Sequence, residues 1–75
     1  MSFESRTTAD LVRIAAAGGG FRLNAGSRTT ADLVRIAAAA SSTGANLTFA
    51  GLAARTTADL VRIGAAGKGA VVLED

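Results

Sequence analysis

Two hydrophobic periods alternate along this chain. Apolar residues recur at helical spacing in three stretches, and at every second position in the short segments between them. In the first helical stretch Leu11, Ile14 and Ala15 follow the i, i+3, i+4 rule, and Val12 and Ala16 widen the stripe. Thr7 stands three residues before Asp10, close to a capping box with a shorter acid in the glutamate position. Thr29 with Asp32 and Thr56 with Asp59 repeat the arrangement. A threonine oxygen there satisfies an orphan amide, and an aspartate in the first turn is favoured by the helix dipole. Gly18, Gly44 and Gly67 stand where a left-handed residue would end each helix. The pattern predicts helices near residues 8–17, 30–42 and 57–66.

The segments between them alternate with period two. Phe21 and Leu23 flank Arg22 and precede Asn24; Leu47 and Phe49 are spaced by Thr48 and followed by Ala50. Val71 and Leu73 alternate with Val72 and Glu74, and Phe3 lies between Ser2 and Glu4. These read as strands with one apolar and one largely polar face, Val72 being the exception. The expected order is β-α-β-α-β-α-β. A sheet covered on both faces would show continuous apolar runs. Here one face is polar, so all three helices are expected on the same side. Right-handed crossovers then give an α/β fold: a four-stranded parallel sheet in sequential order with three helices on one face, a two-layer, solenoid-like slab.

The helical pattern is also a literal repeat. Arg-Thr-Thr-Ala-Asp-Leu-Val-Arg-Ile starts at Arg6, Arg28 and Arg55, and residues 5–17 are identical to residues 27–39. Self-similarity at twenty-odd residues marks a stacked-repeat architecture. The chain divides into 1–20, 21–46, 47–69 and a final strand at 70–75, within a single domain of 75 residues. In layout this resembles the leucine-rich-repeat class, with parallel strands on one side and helices on the other. That class's strand signature is absent; Phe21-Arg22-Leu23-Asn24 is the nearest fragment. Identity at surface positions such as Arg13 and Arg35 has no packing reason to persist, so the repetition points to a recent duplication or to an engineered, idealised sequence.

Composition narrows the chemistry. The chain is 49% hydrophobic and 19% charged, which is globular, but much of the apolar content is alanine. At this length a core of few large side chains predicts modest stability or help from self-association. The net charge is +2. The pI near 10.5 reflects a small arginine excess with no His, Cys or Tyr to titrate, and it argues only weakly for nucleic acid. With no cysteine there is no disulfide, thiol nucleophile or zinc–thiolate site. No secretory signal and no apolar run of about 20 residues is present, so a cytoplasmic location and no membrane contact are the default expectation.

Catalysis by His or Cys is excluded outright, and Asp10, Asp32 and Asp59 are explained by helix starts. Gly67-Lys68-Gly69 is followed by Ala70 and ends a helix rather than opening one, so it is not a phosphate loop. The expectation is a non-enzyme with no catalytic residues, cofactor or metal: a structural or scaffold repeat protein that self-associates through exposed edge strands or helix faces. Two alternatives remain. The polar sheet face of Arg22, Asn24, Thr48 and Glu74 could bind a protein, as repeat proteins do. The pairs Arg6-Thr7, Arg28-Thr29 and Arg55-Thr56 could form a row of anion sites at the edge where helices begin. Against that row, each threonine is explained as a cap, and each arginine by pairing with the aspartate four residues later. Arg13, Arg35 and Arg62 read as a second, solvated row beside Asp at i−3.

Overall fold

The computed structural model describes residues 6–26 and 28–74. Its elements are α1 (Thr8–Ala16), β1 (Phe21–Asn24), α2 (Thr30–Thr43), β2 (Leu47–Ala50), α3 (Thr57–Gly67) and β3 (Val71–Leu73). The strands are all parallel and lie in chain order, β1-β2-β3. Phe21 pairs with Leu47 and Leu47 with Val71, so the inward side chains of the three strands align in rows. Helix α2 packs between α1 and α3.

The four-stranded β-α-β-α-β-α-β sheet is therefore corrected: among the described residues there are three strands, and the order is αβαβαβ. The segment around Phe3, expected as the first strand, lies outside the described residues. Phe3 is a single apolar residue between Ser2 and Glu4, and one residue does not make a period. Each described strand carries two such residues on one side: Phe21 and Leu23, Leu47 and Phe49, Val71 and Leu73.

The helices start as their caps dictate. Thr7, Thr29 and Thr56 have extended backbones with φ of −72° to −74°, and each Oγ1 accepts a hydrogen bond from the aspartate amide three residues on, at 3.1–3.2 Å. Their inward stripes meet the inward face of the sheet. Leu11, Leu23, Leu33, Ile36, Leu47, Phe49 and Ile63 are fully buried, and Ala15, Ala37 and Ala40 fill the space between close-packed helices. Burial of each large side chain stabilises the fold by roughly 1.5–3 kcal/mol, so these seven dominate a core that also includes Phe21 and Leu52. The opposite sheet face is open, with Arg22, Asn24 and Val72 exposed.

Helix ends differ more than the repeats suggest. Gly18 and Gly44 take positive φ, 92° and 74°, as expected. Gly67, however, is the last residue of α3, and the left-handed residue is Lys68, at φ 49°. Gly67 is needed for proximity instead: a Cβ there would lie 2.7 Å from Val71 Cγ2. A lysine in the left-handed region costs about 1 kcal/mol. Lys68→Gly is therefore expected to stabilise the protein by about 0.5–1 kcal/mol, and Gly67→Ala to destabilise it by about 1–3 kcal/mol. Urea unfolding followed by circular dichroism checks both signs.

Candidate functional site

The Arg-Thr-Thr units sit where one repeat meets the next. The Arg28 guanidinium reaches back to the first repeat, where Nη1 donates to Thr8 Oγ1 at 2.9 Å and Nη2 to the Arg6 carbonyl. Arg55 does the same one repeat later. Its Nη1 donates to Thr30 Oγ1 at 2.8 Å, and its Nη2 to the carbonyls of Ala25, at 3.0 Å, and Arg28. A rule follows: each arginine binds the second threonine and the arginine carbonyl of the repeat before it. The planar, multiply donating guanidinium suits this task, because it can bridge a side-chain oxygen and main-chain oxygens at once.

Local structure presents those oxygens. The Arg28 amide donates to the Ala25 carbonyl and the Arg55 amide to that of Leu52, closing a turn ahead of each helix. Ala25 and Leu52 are buried at these turns, which holds the carbonyls in place. The first threonine of each unit caps its helix; the second, one residue on, is the acceptor for the following arginine in the first two repeats. At the far ends of the helices Thr43 Oγ1 donates to the Ala15 carbonyl at 2.7 Å, tying α2 to the C-terminus of α1. Thr43 belongs to the extra turn by which α2 outruns α1.

The proposed anion row thus brings Arg28 and Arg55 together with neutral oxygens of the preceding repeat, and both side chains are half-buried there. Arg55 does not pair with Asp59, the aspartate four residues later; its donors point across to the neighbour. Arg6 is exposed and lines a cleft of about 380 Å³ on α1 with Asp10, Arg13, Ile14 and Ala17. The second row, Arg13, Arg35 and Arg62, is exposed. Thr8, Thr30 and Thr43 escape a reading of the sequence that assigns roles to the first threonines alone. For Thr8 and Thr30 the signal available was the presence of the second threonine in every copy, where helix propensity gives no reason for it.

On the sheet face away from the helices Arg22, Asn24 and Glu74 are exposed and Thr48 is half-buried. Its charges meet each other: Arg22 Nη2 lies 2.8 Å from Glu74 Oε1, spanning the middle strand. Asn24 Oδ1 accepts from the Gly26 amide at 3.2 Å and shapes the turn after β1. Among the described residues no cluster of three or more acids, His or Cys could hold a metal. No helix among them is long and apolar enough to cross a membrane. No protein-family model, curated protein or solved structure matches this chain.

Two predictions test the contacts between repeats. Arg55→Lys removes the fork that spans threonine and carbonyl oxygens and is expected to cost about 1–3 kcal/mol, whereas Arg35→Lys changes stability by less than about 0.5 kcal/mol. Equilibrium denaturation of the two variants reads the difference. Glu74→Gln, at an exposed pair, is expected to cost under about 1 kcal/mol, and 1 M salt should erase even that.

Proposed function

We propose that this chain is a non-enzymatic structural repeat protein that associates with itself through the open ends of its stack. The observation that carries this reading is a comparison of equivalent positions. In α2, which has a neighbour on each side, Leu33 and Ile36 are fully buried. The counterpart of Ile36 at one end, Ile14, is only half-buried, and so is Leu60, the counterpart of Leu33 at the other. Val61, the counterpart of half-buried Val34, is 62% exposed. The terminal repeats keep the interface residues of an internal repeat rather than the polar outer surface of a cap.

Two further features support it. The chain holds no His or Cys, the commonest carriers of nucleophilic and general acid–base work. The strand β3 has a parallel edge that nothing among the described elements pairs. The expected solution behaviour is a mass that rises with concentration, measured by sedimentation equilibrium from micromolar to millimolar protein. A sharp monomer mass across that whole range would refute the reading.

A further inference from the structure

The repeated motif carries two arginines, and the joints between repeats use only the first: Arg28 and Arg55 fork back to the preceding unit. The second, Arg13, Arg35 or Arg62, lies on the outer arc of its helix. In α2, flanked by α1 and α3, the exposed Ala31, Arg35 and Ala38 form one stripe, opposite the buried Leu33, Ile36 and Ala40. Helices α1 and α3 present the same exposed stripe, beginning at Ala9 and at Ala58. The three stripes face away from the core and across the stacking direction, so they stay outward whatever adjoins either end of the stack.

No hydrogen bond or ion pair engages these three guanidinium groups among the described residues. The expected pairing with the aspartate three residues earlier is not formed. Asp10, Asp32 and Asp59 are half-buried in the first turns, where the positive end of the helix dipole offsets their charge. Arg22 is the contrast: it is exposed on the opposite face and neutralised by Glu74. Glu74 is also the exposed acid among the described residues, so none stands on the helical face. Three uncompensated cations in a line remain there.

We infer that this row binds the phosphate backbone of a nucleic-acid duplex, without reading its sequence. Packed helices lie about 8–10 Å apart, so the three guanidinium groups span on the order of 20 Å. Over that length one strand of a duplex carries about six phosphates. The guanidinium fork matches phosphate oxygens two at a time, and the alanines beside it are too short to hold a backbone away. Other polyanionic partners fit the face less well. A bilayer calls for large apolar side chains, and the exposed ones are Val72, on the opposite face, and a single Val61 at the flank of α3. Unpaired bases call for aromatic platforms, but Phe21 and Phe49 are buried and the chain has no Tyr or Trp. This inference does not rest on self-association.

The test is fluorescence anisotropy of a labelled DNA duplex of mixed sequence, titrated with the protein at several salt concentrations. Three phosphate contacts predict a log–log salt slope of about −2.7, which is about a fortyfold loss of affinity between about 50 and 200 mM salt. Arg13→Gln, Arg35→Gln and Arg62→Gln should each make the slope shallower by about 0.9, and the triple variant should lose binding. Arg22→Gln, which removes the same charge from the other face, should leave binding unchanged. Circular dichroism and sedimentation confirm that the triple variant keeps its fold and its mass. A wild type that does not bind the duplex at low salt would overturn the inference. So would equal losses from Arg22→Gln and the helical variants, which would mean attraction by net charge alone. Binding to phosphatidylserine vesicles that exceeds duplex binding and is abolished in the triple variant would overturn it in favour of a lipid surface.

Discussion

Leu33 and Ile36 are fully buried while Leu60 and Ile14, the equivalent residues at the ends, are only half-buried. The difference is a neighbour. A single αβ unit of this chain has a helix with apolar residues on more than one side and a strand of three or four residues, and it cannot cover both by itself. Both of these helix positions are fully buried only in α2, the helix flanked on both sides. The contact of repeat with repeat is therefore the interaction from which core, sheet order and end surfaces all follow. Hydrophobic area supplies the energy, and because that term is non-directional, something else must set the register.

The arginine forks do so. A guanidinium that must reach a threonine hydroxyl and a main-chain carbonyl at once permits little sliding of one helix start past the next. Thr43 adds a second tie at the opposite end of the α1–α2 joint. In a stack of near-identical units, several registers would bury similar apolar area, so these polar ties carry more of the specificity than their modest individual energies suggest. The same logic explains why Arg28 and Arg55 are half-buried while Arg13, Arg35 and Arg62, on the outer arc of each helix, are exposed.

The repeats are alike in sequence but not in ending. The helix beginnings are near copies, with cap dihedrals agreeing within a few degrees, because capping depends only on residues close in sequence. The helix ends diverge: one finishes at Ala16, one runs an extra turn to Thr43, and one continues through Gly67 to a left-handed Lys68. In the last case the glycine was needed not for its backbone freedom but for the space that Val71 occupies. Exposed Val72, on the open face of an edge strand, has no packing account here.

What the chain alone determined was what short-range rules govern. The three helices, their threonine caps, the α/β class, the inward rows of Phe21, Leu23, Leu47 and Phe49, and the sequential parallel order could all be derived from period, spacing and handedness. The expected fourth strand rested on Phe3 alone and lies outside the described residues. What only the tertiary structure decided was where the arginines point. A local rule pairs Arg55 with an aspartate one helical turn away. The folded chain instead places it against oxygens 25 to 30 residues earlier, which no local period reveals. The second threonine of each unit acquires its meaning in the same way, as an acceptor visible only once a neighbouring repeat is packed against it.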